Sequence, residues 1–317
     1  MLAPLLDAVT AGVAFLLALV LYRPLIGWLR RLKAGQVIQA ELPDSHQRKA
    51  GTPTGGGMLF VGLAIIGAVL AAGRGGHPGA LPGLSALVLF GLIGASDDLQ
   101  KLRVGAIGIP ARAKFPLQVL CAIPVAWLAY QAGGSHQHLP FQLGWTYWPL
   151  AVLAIVGTAN AVNLTDGMDG LAGGLSLIAF AFLALAIGGA ASGEKAVAMV
   201  LCGGLAAFLI YNRYPARVFM GDIGSLGLGA TLAAMAIQQG FLVLLPLLGL
   251  VFVIETLSVI IQVAYFKASG GRRIFKMTPI HYTFHLEGWS ENRIDVSFWS
   301  AGLAVALASL LVARALT

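Results

Sequence analysis

Two adjacent carboxylates lie near the predicted end of an apolar helix. Asp97 and Asp98 stand side by side in ASDDLQKL. Neighbouring carboxylates at a helix C-terminus repel each other and face the negative end of the helix dipole. A positive group should therefore compensate them, and the two candidates are Mg²⁺ and Lys101. The alternative is a solvated helix end with a local ion pair.

A second segment, NAVNLTDGMDG, places polar side chains at intervals of three residues: Asn160, Asn163, Asp166 and Asp169. If the segment is helical, this spacing puts all four on one face. Gly167 and Gly170 predict a partly irregular turn, where the backbone can approach a ligand. Polar side chains at the edge of a hydrocarbon layer are costly unless they are paired or functional. The segment therefore favours a binding role over an Asx-rich turn that caps a helix.

A third carboxylate, Asp222, lies with Ser225 in VFMGDIGSLGLG, just before another apolar stretch. Asp222 could be an N-cap. It could equally bind a metal ion beside a helix N-terminus, where phosphate groups also bind. The preceding Phe219 either stacks on a base or packs in the core. The sequence alone leaves both pairs of interpretations open.

Further polar groups occur in three other segments. KAGTPTGGG begins at Lys49, and its backbone amides would suit phosphate, although its spacing differs from that of a P-loop. In VFVIETLSVIIQV, Glu255, Ser258 and Gln262 form one polar stripe, which predicts either a functional intramembrane Glu or a helix–helix hydrogen bond.

His281 and His285 are four residues apart in PIHYTFHLEGW, without the HExxH pattern of a zinc site. Mg²⁺ prefers oxygen ligands. A histidine here is therefore expected to contact phosphate or to shuttle protons. Taken without the other motifs, this histidine is interpreted as a surface-loop residue.

The composition places these segments in a membrane protein. The chain has 317 residues, of which 58% are hydrophobic and 10% charged, whereas soluble domains carry about 25% charged residues. The net charge of +7 is interpreted as loop topology and not as nucleic-acid binding. Cys121 and Cys202 lie inside apolar runs, which indicates neither a disulfide framework nor a metal site.

Ten apolar stretches approach the length that spans a bilayer, at residues 5–22, 54–72, 79–96, 115–131, 147–160, 171–190, 195–211, 224–238, 241–265 and 297–314. The first is interpreted as a retained helix and not as a cleaved signal. Alternate loops hold 17 of the 20 Lys and Arg residues and ten of the 13 acids. The positive-inside rule then puts both termini outside. The sequence predicts an all-α integral membrane protein, one polytopic domain over residues 1–317, with its chemistry on the cytoplasmic face.

Six motifs, taken in order, resemble one known group along nearly the whole chain. They are KAGTPTGGG, DDLQK, NAVNLTDGMDGLAGG, YNRYPARVFMGDIGSLGLG, ETLSVIIQV and PIHYTFHLEGWSENRI. That group is the polyprenyl-phosphate N-acetylhexosamine-1-phosphate transferase superfamily, and within it the phospho-N-acetylmuramoyl-pentapeptide transferases. The resemblance implies ten helices in the bacterial inner membrane and an Mg²⁺-dependent reaction of peptidoglycan biosynthesis. UDP-MurNAc-pentapeptide and undecaprenyl phosphate would give lipid I and UMP. A homodimer also agrees with the resemblance.

The resemblance also implies residue roles. Asp222 would bind Mg²⁺, and Asp97 and Asp98 would serve the acceptor phosphate or the metal. The nucleoside pocket would be lined by Asn163, Asp166, Gly167, Met168, Asp169, Asn212, Phe219 and Gln262. The polar site would be completed by Lys49, Thr54, Lys101, Lys114, Ser225 and His281. Two departures stand out: the family usually has three consecutive histidines where this chain has His281, Tyr282 and Thr283, and a methionine where it has Gly55.

Three alternatives remain on the sequence. One is a related transferase that takes UDP-GlcNAc. A second is intramembrane prenyl transfer, because Asn163, Asp166 and Asp169 resemble an aspartate-rich diphosphate motif. A third is an ion-coupled transporter that uses Glu255, although transporters often contain internal repeats and none is evident here.

Overall fold

Nine of the ten apolar stretches of the sequence each correspond to one helix in the computed structural model. The structure describes residues 2–32, 35, 49, 51–72, 78–104, 108–139, 142–186 and 193–316. Five charged residues used in the topology prediction lie outside these ranges: Lys33, Glu41, Asp44, Arg48 and Arg74.

The described chain forms twelve α-helices. They are α1 (Leu2–Arg31), α2 (Gly57–Ala72), α3 (Leu81–Val104), α4 (Ala111–Ala129), α5 (Tyr147–Thr165), α6 (Leu171–Ala186), α7 (Gly193–Asn212), α8 (Asp222–Gln238), α9 (Leu245–Leu248), α10 (Leu250–Ala268), α11 (Ile280–Leu286) and α12 (Glu291–Leu316). Within the described ranges the sole β pairing is an isolated bridge between Gly35 and Pro53. The all-α prediction is therefore confirmed.

Seven helices are long and apolar enough to cross a membrane, and α2 and α6 are shorter apolar helices. Large apolar side chains project outward from the bundle, with Leu16 60%, Leu120 64% and Leu311 71% exposed. Such surfaces on several helices are unfavourable in water but are covered by lipid in a bilayer. The chain is a multi-pass membrane protein.

Helix α8 lies at the centre of the bundle. Every residue of α8 except Ile223 is buried, and the helix contacts α2, α3, α4, α5 and α6. Glycines allow this close packing, because a Cβ on Gly94 of α3 would lie 2.1 Å from the Asp222 carbonyl oxygen. A Cβ on Gly57 of α2 would lie 2.5 Å from Cα of Gly224. The N-terminus of α8 is therefore enclosed by neighbouring helices at one end of the bundle.

Two helix boundaries differ from the prediction. Helix α3 continues to Val104, so Asp97 and Asp98 lie inside it and not at its end. Good helix formers follow them, and Lys101 and Arg103 favour the negative end of the dipole. Helix α5 ends at Thr165, so Asp166 and Asp169 do not share a helical face with Asn160 and Asn163 as predicted.

The ninth apolar stretch is also divided differently from the prediction. Its first residues form a turn and the short helix α9, and the transmembrane helix α10 begins at Leu250. Gly240 adopts φ 78°, a left-handed conformation that favours glycine and ends the preceding helical segment. Glu255, Ser258 and Gln262 are all buried along α10, as the predicted stripe requires.

Candidate active site

Two lysines and two aspartates form a closed ring of charges at the N-terminus of α8. Lys101 Nζ lies 2.7 Å from Asp97 Oδ2 and 3.0 Å from Asp222 Oδ1. Lys114 Nζ lies 2.5 Å from Asp222 Oδ2 and 3.5 Å from Asp97 Oδ1. The side chain of Lys101 is 39% exposed while those of Lys114 and Asp97 are 14% and 2% exposed, so the ring opens to solvent at Lys101. The sequence prediction that Lys101 compensates the paired carboxylates is consistent with this geometry.

The adjacent aspartates make different contacts. Asp98 accepts hydrogen bonds from the backbone N–H groups of Asp222, at 3.0 Å, and Ile223, at 3.1 Å. These are orphan donors of the first turn of α8. Gly221 precedes that helix without a side-chain cap, so Asp98 supplies the cap from another helix. Asp97 instead contacts the two lysines and the N–H of Ile109, at 2.8 Å.

Helix α5 is tied to the ring through one amide. Asn163 Nδ2 donates to Asp222 Oδ1 at 3.1 Å and to Ser225 Oγ at 2.8 Å. Asn160, one turn earlier, instead donates to Gln118 Oε1 of α4 at 2.7 Å. The structure therefore brings Asn163 and Ser225 to the ring, and it pairs Asn160 with a buried glutamine between α4 and α5.

A second ion cluster lies where the loop before α2 meets α12. Lys49 Nζ lies 2.7 Å from Asp169 Oδ1 and 2.6 Å from Glu291 Oε2. Asp169 Oδ2 also accepts from the N–H of Ala216 at 2.8 Å. The predicted phosphate contact of Lys49 therefore requires it to exchange an acidic partner for substrate.

The loop between α7 and α8 is held by hydrogen bonds from the Asn212 side chain and from the backbone of Phe219. Asn212 accepts from the N–H of Gly170 at 3.0 Å and donates to the Val218 carbonyl at 2.9 Å. Phe219 pairs through its backbone with Pro53 and Gly56, both at 2.8 Å. The side chain of Phe219 stays partly exposed. The side chain of Thr54, in the segment paired with this loop, is also partly exposed.

The turn after α5 meets helix α11. Tyr282 donates its hydroxyl to the Gly167 carbonyl at 2.9 Å, and Met168 is 4% exposed. Asp166 lies in the same turn and keeps part of its side chain exposed. Loss of hydration where the protein covers the side chain, followed by the charges of Asp222 and Asp98, raises the pKa of Asp166 well above its usual value. The turn therefore holds a carboxylate whose charge depends first on its partial burial and then on these two aspartates.

Two predicted site residues are committed to protein contacts. Gln262 accepts from the N–H groups of Ile274 and Phe275, both at 3.0 Å, and donates to the Phe275 carbonyl at 3.1 Å. It therefore holds the chain after α10. The interpretation of His281 as a surface-loop histidine is wrong, because its side chain is 0% exposed and contacts Glu255.

The oxygen ligands of the charge ring suit a hard divalent cation. Asp97 and Asp222 contribute carboxylate oxygens on side chains that are 2% and 12% exposed, and carboxylate oxygens are what Mg²⁺ prefers. Within the described ranges, however, no three His, Cys, Asp or Glu side chains converge on one point. The donor chemistry therefore fits Mg²⁺ with Asp222 as a ligand, provided that a lysine ammonium gives up its contact with that carboxylate.

Two further residues of these clusters are not indicated by any of the sequence motifs. Gln118 is 1% exposed and pairs with Asn160; its signal is a glutamine inside an apolar stretch. Glu291 contacts Lys49, and it resembles an ordinary acid in the first turn of a helix. Its partner lies 242 positions away, so no local pattern could reveal the pair.

Known proteins are similar to this chain over almost its full length. Residues 81–240 match the family described as glycosyl transferase family 4. The chain is 46% identical over 313 residues to the phospho-N-acetylmuramoyl-pentapeptide-transferase of Moorella thermoacetica, covering 94% of this chain and 95% of that protein. The protein of the same name from Heliobacterium modesticaldum is 46% identical, with 91% and 92% covered. That from Bacillus anthracis is 43% identical, with 96% and 97% covered.

Proposed function

The chain belongs to the phospho-N-acetylmuramoyl-pentapeptide-transferase family, and we propose that it transfers phospho-MurNAc-pentapeptide from UDP-MurNAc-pentapeptide to undecaprenyl phosphate. The products are lipid I and UMP, and the pathway is peptidoglycan biosynthesis. The observation that carries the proposal is the ring of Asp97, Lys101, Lys114 and Asp222 at the N-terminus of a buried helix. Two adjacent cations suit a diphosphate.

The ring residues divide the work of phosphoryl transfer. The reaction forms a bond between an acceptor phosphate oxygen and the sugar-bearing phosphorus while the diphosphate bond of the donor breaks. Lys101 and Lys114 would stabilise the negative charge that collects on the departing UMP. Asp222, with Asp97 beside it, would hold Mg²⁺. When bound, that ion neutralises phosphate charge and aligns the reacting groups.

The nucleoside pocket is proposed around the turn after α5 and the loop before α8. Asp166 and Phe219 keep part of their side chains exposed, so they are the groups that can hydrogen-bond to or stack on a base. The side-chain amides of Asn212 and Gln262 are hydrogen-bonded to backbone groups. These two residues therefore shape the proposed pocket by fixing the backbone segments around it.

The orientation follows from charge. Asp7 and Lys195 pair at 2.9 Å, joining the start of α1 to the start of α7. The charge ring lies at the other end of the bundle, where most of the basic residues of the sequence are found. By the positive-inside rule that end faces the cytoplasm, where a soluble nucleotide donor is available. We place the protein in the bacterial inner membrane with this face inward.

Purified protein should release UMP when given UDP-MurNAc-pentapeptide, undecaprenyl phosphate and Mg²⁺. Activity should disappear with EDTA and return with added Mg²⁺, because the diphosphate charge is then again neutralised. UDP-GlcNAc, run in parallel, should give no release. Release with UDP-GlcNAc alone would instead assign the chain to the related GlcNAc-1-phosphate transferases, and release with neither donor would refute the reaction.

Lys49→Met should lower kcat/KM for the donor by at least about tenfold, the scale of one lost charge-assisted hydrogen bond. The lysine is the one cation that the described structure places between Asp169 and Glu291. Without it, two carboxylates face each other beside the proposed pocket and repel an anionic donor. Initial rates of UMP release measure the effect, and Lys195→Met, at the opposite end, is the control. Equal rates for Lys49→Met and wild type would contradict a role for this cluster.

A further inference from the structure

Two titratable side chains are enclosed beside the proposed pocket. Glu255 of α10 and His281 of α11 are both 0% exposed, and Glu255 Oε2 lies 3.1 Å from His281 Nδ1. Glu255 Oε1 and His281 Nε2 are buried without a hydrogen-bond partner. Such groups are rare in folded proteins because each costs free energy, and an unmatched one often marks the place of a ligand.

The net charge of this pair restricts where its protons lie. A buried pair with a net charge of −1 is strongly disfavoured, because a charge without a partner loses its hydration. A neutral pair has two forms: a carboxylate with an imidazolium, or a carboxylic acid with a neutral imidazole. In the first form both ring nitrogens carry a hydrogen, and in the second Oε2 donates its proton to Nδ1, so that the hydrogen of the imidazole is on Nε2. A proton on Oε1 of Glu255 would instead be a buried donor without an acceptor. Neutrality therefore makes Nε2 of His281 a hydrogen-bond donor.

This donor points at the turn after α5. A Cβ built on Gly167 would lie 2.8 Å from His281 Nε2 and 2.7 Å from the Tyr282 hydroxyl. Gly167 therefore leaves room for the imidazole edge beside this turn, because any larger side chain would displace it. The Gly167 carbonyl already accepts from Tyr282 at 2.9 Å, and Nε2 makes no bond to it.

We propose that Glu255 is a positioning residue that keeps a hydrogen on Nε2 of His281, so that this N–H donates to a phosphate oxygen of the nucleotide donor. The inference rests on the proposed function and assigns its intramembrane glutamate a role. A protonated Nε2 has no lone pair for a metal, so His281 acts on phosphate and not as a metal ligand.

A double-mutant cycle tests whether Glu255 acts through His281. Glu255→Gln should lower kcat/KM for UDP-MurNAc-pentapeptide at least tenfold, because a neutral amide cannot share a proton with the imidazole or balance an imidazolium. In the His281→Asn background the same substitution should cause no further loss. Glu194→Gln is the matched control: Glu194 is 2% exposed, has one unbonded oxygen and lies at the other end of the bundle. It should keep wild-type kinetics. Additive losses would overturn the proposal.

Nitrogen-15 NMR of histidine-labelled protein tests the proton directly in the wild type and without substrate. The signal of His281 is the one of six that disappears in His281→Asn. We expect its Nε2 to be pyrrole-like, that is, protonated, in the wild type. A pyridine-like Nε2 in the wild type would overturn the proposal even if the variants lose activity. Failure of UMP release by the wild type would refute the reaction alone, because the NMR result still reports the pair.

Discussion

Asp222→Asn is expected to abolish turnover, with kcat at least about 10³-fold below wild type, while the protein stays folded. Asp222 is the point where the site converges: Lys101, Lys114 and Asn163 all contact its carboxylate. An amide of the same size keeps the packing but removes the negative charge. It therefore loses both the ion pairs with the two lysines and the oxygen ligand proposed for Mg²⁺.

The expected loss is measured as UMP release at saturating donor and acceptor, with melting of the detergent-solubilised protein as the check on folding. Asp7→Asn is the control, since Asp7 is also paired with a lysine, Lys195 at 2.9 Å, at the opposite end of the bundle. The control should keep its activity. If Asp222→Asn retained a tenth of the wild-type kcat, Asp222 would not be the metal ligand or the centre of the site.

The residues of the site could be predicted because a bilayer restricts where polar side chains occur. Charged groups are costly in hydrocarbon, so Asp97, Lys101 and Asp222 stand out at the edges of apolar stretches. The all-α class follows from the same contrast. Separate groups of carboxylates, lysines and amides at the ends of several apolar stretches, all on one membrane face, could therefore be predicted.

The partners of these residues could not be predicted, because they depend on how distant helices pack. Asp98 reaches the first amides of α8 only because Gly94 lets α3 approach Asp222 closely. Lys49 pairs with Glu291, which lies near the other end of the sequence. His281 read as a surface residue because nothing near it in the sequence shows that Glu255 of α10 faces it. Local patterns identify polar groups, whereas tertiary contacts decide their roles.

Adjacent aspartates with different partners should give different losses when each is replaced. Asp97→Asn should lower kcat by about 10²-fold with little change in stability. It weakens the charge ring, but its amide oxygen can still accept from Ile109, which donates at 2.8 Å in the wild type. Asp98→Asn should lower the free energy of unfolding by about 1–3 kcal/mol as well as the activity.

The physical reason lies in the two N–H groups that Asp98 binds, those of Asp222 and Ile223. An asparagine offers one acceptor oxygen and, on its other side, an NH₂ group that donates. That NH₂ faces a backbone donor, so one amide in the first turn of α8 loses its partner in a buried place. The turn that carries Asp222 should then loosen, which links the stability loss to the activity loss. Melting curves and hydrogen exchange at the start of α8, compared between the two variants, measure this. Equal stability of Asp97→Asn and Asp98→Asn would show that Asp98 does not cap the helix, and faster exchange confined to Asp98→Asn would show that it does.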